Sequence, residues 1–215
     1  GDFVLVLGGD CSVVLGCLLG AAARGRVGLA YLDAHADFAT PQESRTGSVA
    51  SMCLALATGR GASPLGGLQG ARPLVCGEDV VLIGRRDHAD AAIYGQDQLA
   101  AHGIVDVTHE RVRERGAATV AHKCIEHLTR QGINGYWVHL DADLLDPSEM
   151  PAVDSPEPNG LSLDEVRDLL RPLVRHPAVL GMELTIYDPQ LDPERTSAER
   201  LVTLLESVLV GQEIL

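Results

Sequence analysis

The sequence is short of basic residues, and this deficit argues against one large class of partners. Lysine and arginine together number 17, against 30 aspartate and glutamate residues, so the formal net charge is −13 at pH 7. Proteins that bind DNA or RNA usually carry a basic patch or stripe, and none is visible in this sequence. We therefore expect no nucleic-acid partner. An acidic chain instead favours cations, either metal ions or a small positively charged substrate.

The sequence also lacks paired cysteines and long apolar segments. Its 5 cysteines are an odd number and form no Cys-x-x-Cys pair, which argues against a disulfide framework and predicts a reducing, cytoplasmic setting. The longest apolar run, residues 13–23, is too short to span a bilayer, which takes about 20 residues. We expect no association with a membrane.

Length and apolar content fit one α/β domain. The chain has 215 residues, of which 46% are hydrophobic, and this is enough for a substantial core. We interpret residues 1–215 as a single domain. The sequence has no initial Met and enters a strand-like segment at once, so we expect a fragment whose N-terminal part is missing.

Strand-like and helix-like segments alternate along the chain. Short apolar runs predict buried strands at residues 3–7, 28–32, 80–83, 104–107, 136–140 and 179–184. Helices are predicted at residues 12–24, 49–58, 93–101, 108–131 (one or two helices), 162–175 and within 193–210, with a long loop at 59–77. Ser162 and Glu165 have the spacing of a capping box. The alternation predicts a three-layer α-β-α fold with a mainly parallel sheet covered on both faces.

Acidic residues follow four of these strands. Asp10 comes after the first strand, residues 33–37 follow the second, residues 141–143 follow the fifth, and Glu183 lies near the end of the sixth. The carboxyl ends of parallel strands meet at one edge of the sheet, where ligands bind. We therefore expect these side chains to converge.

Two of the acidic segments have the spacing of metal ligands. Asp33-Ala34-His35-Ala36-Asp37 and Asp141-Ala142-Asp143 carry potential ligands at every second residue, which puts them on one side of an extended segment. Buried together, these acids would repel one another unless a divalent cation removed that cost. Either motif alone fits solvated acids or a turn equally well, but both together favour a metal site. Mixed carboxylate and imidazole ligands suit Mn, Fe, Zn, Co or Ni better than Ca.

Four sequence blocks, in order and spacing, resemble the signature blocks of the ureohydrolases, a family that includes arginase, agmatinase, formimidoylglutamase and guanidinobutyrase. The blocks are residues 8–12 (Gly-Gly-Asp-Cys-Ser), 33–37, 141–147 (Asp-Ala-Asp-Leu-Leu-Asp-Pro) and 181–183 (Gly-Met-Glu). The resemblance runs from about residue 8 to 189 and implies an arginase/deacetylase-like fold. Family members are longer at the N-terminus and commonly assemble from identical subunits, so the resemblance also implies a homo-oligomer.

The resemblance implies a site with two divalent metal ions, most often manganese. The metal ligands that it implies are Cys11, Asp33, His35, Asp37, Asp141 and Asp143. Asp33 and Asp141 would bridge the two cations, Asp37 and Cys11 would bind one of them, and the remaining two residues would complete the other.

The resemblance also implies a reaction. A hydroxide bridging the metals would attack the carbon of a small cationic guanidino or amidino substrate, and an amine would leave. Asp37 would accept the proton and pass it on. Glu183 would grip the guanidinium through a charge-assisted pair; without the resemblance, a strand-end acid in a surface salt bridge is the better interpretation of Glu183.

Two departures from the family pattern bear on activity. Most members have His where this chain has Cys11, and a thiolate ligand would favour Zn, Fe or Ni over Mn; a bare buried thiol is the alternative. The family pattern Ser-Gly-Asn-x-His-Gly is replaced by Thr-Gly-Ser-Val-Ala-Ser at residues 46–51, so Ala50 stands in place of the His. These changes argue against arginine as substrate and leave open another guanidino or amidino compound, or lost activity.

Three functions compete at this point. The first is a metal-dependent hydrolase of linear amidines or guanidines, and the second is a non-catalytic homologue that binds metal or regulates a partner. A deacetylase-like amide hydrolase with one zinc ranks last, because such enzymes rely on a His pair and the sequence has no adjacent one. His139 lies two residues before Asp141 on the same side of the strand. It would either orient a metal-binding carboxylate or be a hydrogen-bonded core histidine.

Overall fold

A computed structural model describes residues 3–44, 46–61, 73–87 and 98–210 of the chain. Most of the predicted helix at 93–101 and most of the predicted loop at 59–77 lie outside these residues.

Six strands form one parallel sheet in the described part of the chain. They are β1 (Val4–Leu7), β2 (Gly28–Leu32), β3 (Val80–Ile83), β4 (Val105–Val107), β5 (Tyr136–Asp141) and β6 (Val179–Thr185). Their order across the sheet is β1-β6-β5-β2-β3-β4, and each neighbouring pair is parallel. All six predicted strands and the mainly parallel sheet are confirmed.

The central and edge strands differ in burial. Every residue of β2 and β5 is buried, which explains their near-continuous apolar sequences, because helices cover both faces of such strands. The prediction that β1 is a buried strand is wrong in part. β1 lies at the edge of the sheet, and the exposed fractions of Val4 and Leu7 are 47% and 63%.

Helices follow the strands along the chain. They are α1 (Val13–Ala22), α2 (Cys53–Ala57), α3 (His109–Arg115), α4 (Ala117–Leu128), α5 (Leu163–Arg175) and α6 (Thr196–Leu209). Gly116, with φ of 81°, separates α3 from α4, and the capping box of Ser162 and Glu165 starts α5 as predicted. None of the described helices is long and apolar enough to cross a membrane.

Alternate strand residues face two separate core layers. In β2, Ala30 and Leu32 join the layer that contains residues of α4, α5 and α6, whereas Leu29 and Tyr31 join the layer that contains residues of α1 and α2. The sheet is therefore packed between two helical layers, which confirms the predicted three-layer architecture.

Sheet register sets which carboxyl ends lie side by side. β2 pairs with β5 so that Leu32 is opposite Leu140, and the next residues along the two strands are Asp33 and Asp141. β6 lies on the other side of β5, with Glu183 opposite His139. The predicted acidic segments after the second and fifth strands therefore meet at the centre of one edge.

Candidate metal centre

Five of the six predicted metal ligands, together with His139, form two clusters that share one carboxylate. In the first cluster, ligand atoms of Cys11, Asp33, His139 and Asp141 all lie within 4.8 Å of one another, and all four residues are buried. In the second, atoms of Asp33, His35 and Asp143 meet the same limit. Asp33 belongs to both groups of candidate ligand atoms.

Backbone hydrogen bonds hold the carboxylates in place. The Asp33 Oδ1 atom accepts a hydrogen bond from the His35 amide at 2.7 Å, and Asp141 Oδ1 accepts one from the Asp143 amide at 2.7 Å. Each acid is thereby fixed by the residue two positions further along its own motif. The alternating alanines, Ala34, Ala36 and Ala142, are fully buried, and their small size allows this close folding.

Side-chain contacts tie the ligands of each cluster together. The His35 Nδ1 atom lies 2.9 Å from Asp143 Oδ2, and the Cys11 thiol donates to Asp141 Oδ2 at 3.0 Å. The motifs that are distant in sequence therefore contact one another directly, as the sequence predicts.

The electrostatics of the centre call for a cation. Burial and neighbouring carboxylates raise the pKa values of Asp141 and Asp143 above the ordinary range. At Asp33, burial acts in the same direction, but His139 and His35 outweigh it and hold the pKa of that carboxyl below its usual range. Among the described residues, the ion-pair partners of Asp33 and Asp143 are histidines, and neither acid pairs with a lysine or arginine.

Cys11 lies directly before α1 and close to three carboxylates, which have opposite effects on the pKa of its thiol. Burial, followed by the charges of Asp37, Asp141 and Asp33, raises the pKa of the Cys11 thiol well above its ordinary value. A helix N-terminus by itself lowers the pKa of a thiol, but here burial and three carboxylates outweigh the start of α1. A bound cation would reverse this, since a coordinating thiol loses its proton.

The donor set fits a divalent cation on evidence from the structure itself. Asp33 Oδ2 and His139 Nε2 are buried polar atoms without a hydrogen-bond partner, and they lie 3.6 Å apart. Buried polar groups almost always have a hydrogen-bond partner. These two unpaired atoms beside the thiol therefore indicate a place where a cation would supply the missing partner. Sulfur, nitrogen and oxygen together suit a borderline transition metal.

Asp37 lies beside the clusters rather than in them. Its backbone has φ of 47°, and its carbonyl accepts hydrogen bonds from the Leu54 and Ala55 amides in α2. The Tyr31 hydroxyl donates to its carboxylate at 2.6 Å. Burial and the charge of Asp33 raise the pKa of Asp37 above its ordinary range. The structure thus brings Asp37 to the site, while its role as a metal ligand stays a prediction.

The structure does not bring Glu183 to the predicted substrate position. Its side chain is fully buried, and Oε1 lies 2.8 Å from Nδ1 of His139. The prediction that the Glu183 carboxylate grips the substrate assumes that this residue lies near the end of its strand. β6 continues to Thr185, and Glu183 points from inside the sheet toward β5. Ile186, three residues later, lines the cavity instead.

A cavity of about 310 Å³ opens over the clusters. Five of the predicted metal ligands line it, namely Cys11, His35, Asp37, Asp141 and Asp143. The remaining wall is formed by Thr46, Ser48, Ala50, Ser51, Asp87, Asp154, Ser155 and Ile186. The residues at which this sequence departs from the ureohydrolase pattern therefore lie at the cavity wall.

Some residues of the site escape sequence reasoning. Asp87 is buried and accepts a hydrogen bond from the Ala36 amide at 3.0 Å, which steadies the segment that carries His35. Asp154 and Ile186 reach the wall from loops, and no motif marks them. Tyr31 could have been found, because it precedes Asp33 by two residues and therefore faces the same side of β2.

Comparisons with known proteins agree with the fold. The model of the arginase family matches residues 1–211. An arginase of Brevibacillus brevis is 34% identical over 217 aligned residues, covering 100% of this chain and 71% of that protein. The crystal structure of an arginase from Bacillus cereus superposes with a TM-score of 0.87 at 32% identity, covering 98% of this chain and 72% of that one. The arginase of Bacillus caldovelox gives a TM-score of 0.86 at 32% identity, covering 99% and 70%.

Proposed function

Because this chain belongs to the arginase family, we propose that it is a metal-dependent hydrolase that cleaves a C–N bond of a linear guanidino or amidino compound. The relatives that it matches are named arginases. The observation that carries the proposal is the pair of ligand clusters that share Asp33 beneath one cavity.

Two divalent metal ions would be held by residues of both clusters. Asp33, His35 and Asp143 would bind one ion, and Asp33, Cys11 and Asp141 would bind the other. When bound, such ions lower the pKa of a water molecule, so that hydroxide is available near neutral pH. Manganese is the ion that the family resemblance favours, whereas the Cys11 sulfur favours zinc, iron or nickel.

The residues of the chain would bind and orient a cationic substrate. The cavity is lined by several carboxylates, Asp37 and Asp154 among them, and a guanidinium pairs well with such groups. Tyr31 holds one oxygen of Asp37 through a hydrogen bond, so the Asp37 carboxylate is fixed where it can accept a proton and pass it to the leaving amine. Glu183 is left out of this role, because His139 already binds its carboxylate.

The cavity wall favours a substrate other than arginine. Ser48 and Ala50 stand where the family pattern has Asn and His, and Ile186 adds an apolar surface at the wall. Without that Asn and His, the wall lacks two side chains that the family pattern provides, which favours another guanidino or amidino compound over arginine.

Metal analysis and a substrate panel test the proposal. We expect the purified protein to hold two divalent metals per chain and to release urea, ammonia or an amine from at least one member of a panel of guanidino and amidino compounds. Asp141→Ala should abolish both metal binding and turnover. A metal-replete Asp141→Ala protein with unchanged turnover would contradict the site assignment, and substoichiometric metal without turnover would support a non-catalytic homologue instead.

Oligomeric state and compartment follow from the resemblance and composition alone. The homo-oligomer and the cytoplasmic setting stay predictions. The five cysteines are free in the structure, which agrees with the expectation that no disulfide framework forms.

A further inference from the structure

His139 is a buried imidazole with one nitrogen satisfied and one unpaired. Nδ1 lies 2.8 Å from Oε1 of Glu183, whereas Nε2 has no hydrogen-bond partner. Nε2 lies 3.6 Å from its ion-pair partner, Asp33 Oδ2, and this oxygen has no hydrogen-bond partner either. This separation is too long for a hydrogen bond, so each atom lacks the partner that a buried polar group needs.

The unpaired nitrogen points into the cluster that contains the thiol. The ligand atoms of Cys11, Asp33, His139 and Asp141 all lie within 4.8 Å of one another. Neighbouring ligands of a tetrahedral zinc ion, bonded at about 2.0–2.3 Å, lie roughly 3.3–3.7 Å apart. The 3.6 Å between His139 and Asp33 falls within that range, whereas the 3.0 Å between Cys11 and Asp141 is the shorter distance of a thiol hydrogen bond, which an ion between them would lengthen.

Two neighbours fix the imidazole in the orientation that a ligand needs. Glu183 contacts Nδ1, which favours the tautomer with the proton on that atom and leaves the Nε2 lone pair directed at Asp33. The ring of Tyr31 stacks on the imidazole, with centroids 4.0 Å apart and planes at 14°. A metal-binding histidine commonly has a carboxylate on its other nitrogen, and Glu183 occupies that position here.

Asp37 lies beside this cluster, close enough for its charge to act on Cys11. The Tyr31 hydroxyl binds its carboxylate, and its oxygens do not belong to either group of converging ligand atoms among the described residues. Tyr31 thus contacts both residues, with its ring on His139 and its hydroxyl on Asp37.

We propose that His139 is a metal ligand through Nε2, and that it binds the ion together with Cys11, Asp33 and Asp141. The proposal rests on the proposed function, since it concerns one of the same two metal positions. Glu183 is then a positioning residue that orients His139. The mixed sulfur, nitrogen and oxygen donors make the site selective for zinc or cobalt(II) over manganese.

Cobalt(II) is the probe for this site, because a thiolate bound to cobalt gives a charge-transfer absorption and a tetrahedral environment intensifies the visible bands. The metal-free protein is titrated with CoCl₂, and the spectrum and dissociation constants are recorded. His139→Asn keeps an amide donor toward Glu183 but removes the ligand nitrogen. We expect it to weaken cobalt binding at the thiolate site by at least about 100-fold and to abolish the tetrahedral bands.

Two further variants sharpen the result. His122→Asn, at an exposed histidine of α4, is the matched control, and it should keep the cobalt affinity and the thiolate band. Glu183→Gln should weaken the same site about 10–100-fold through loss of the orienting carboxylate. Should His139→Asn fail to fold, as judged by circular dichroism of the metal-free protein, Glu183→Gln alone decides, and an unchanged affinity in that variant would overturn the proposal.

The outcomes separate this proposal from the proposed function. Unchanged cobalt affinity and spectrum in folded His139→Asn would overturn the role of His139, even if the protein hydrolyses a guanidino compound. The opposite outcome is also informative. If His139→Asn loses the thiolate site and the wild-type protein turns over no member of the panel, the role of His139 is supported and the hydrolase proposal is contradicted.

Discussion

Buried aspartates lie at both ends of the sheet, and the two ends compensate them differently. At the amino end of β3, Asp79 is fully buried. Its carboxylate accepts hydrogen bonds from Arg26 at 2.6 and 2.9 Å and from Arg130 at 2.7 Å. At the carboxyl end, Asp33 and Asp141 are buried to the same degree but contact histidine and cysteine side chains instead of arginine.

The difference is not caused by a shortage of arginine at the carboxyl end. Arg86 reaches this edge, but its guanidinium donates to backbone carbonyls of Asp143, Leu145 and Glu157 rather than to a carboxylate. This arginine therefore holds a loop and, in the part of the chain that the structure describes, leaves Asp33, Asp141 and Asp143 without an arginine partner. A buried acid with a guanidinium partner has a structural role, whereas a group of buried acids without one retains free ligand atoms for a cation.

Removing metal should cause the largest change in stability, because only the carboxyl end depends on it. A ligand that binds the native state alone stabilises it by about 4 kcal/mol at a concentration 1,000 times its dissociation constant. For a chain of this size that corresponds to a change of roughly 8–16 °C in Tm. We expect this loss on treatment with EDTA and its recovery with added zinc or manganese, measured by thermal unfolding.

The control for metal removal is Asp141→Ala, in which EDTA and added metal should leave the Tm unchanged. An equal response to metal in this variant would place the binding ions elsewhere in the chain.

Asp79→Asn should have the next largest effect, and it should act on stability alone. The substitution leaves Arg26 and Arg130 beside a neutral amide and removes charged hydrogen bonds, which costs about 1–3 kcal/mol. The guanidinium side chains are 40% and 34% exposed, so water limits the cost. We expect a lower midpoint of urea unfolding with unchanged metal content; loss of metal together with stability would contradict the separation of the two ends.

Much of the fold could be predicted because its strands are buried on both faces. Such strands have continuous apolar sequences, and residues 28–32 and 80–83 were therefore predicted with their observed bounds. The capping box likewise predicts the start of α5. The exposure of β1 could not be predicted, because it depends on which strands lie next to it rather than on its own sequence.

The part of the candidate site that could be predicted is the part that local residue spacing determines. The two acidic motifs are each contained within a few residues, and a parallel sheet brings their strands to one edge. The direction of Glu183 depends on the register between β5 and β6, which sets it opposite His139. No local pattern gives the register of strands about 40 residues apart in sequence, so the ion-pair partner of Glu183 and the position of His139 in the first cluster follow only from the three-dimensional structure.

Asp141→Asn should have the smallest effect. Comparing it with Asp79→Asn in the presence of EDTA is the most specific test of the difference between the two ends of the sheet. The Asn side-chain oxygen can still accept the hydrogen bond from the Asp143 amide, and its amide nitrogen can face the Cys11 sulfur. Burial, followed by the charges of Asp143 and Asp33, raises the pKa of Asp141, so a neutral side chain at this position relieves an unfavourable charge. We expect the free energy of unfolding of the metal-free protein to stay constant or to rise by up to about 1 kcal/mol, measured in urea with EDTA. A loss as large as that of Asp79→Asn would mean that the acids at the carboxyl end are structural, because their removal would then break contacts that stabilise the fold without any metal.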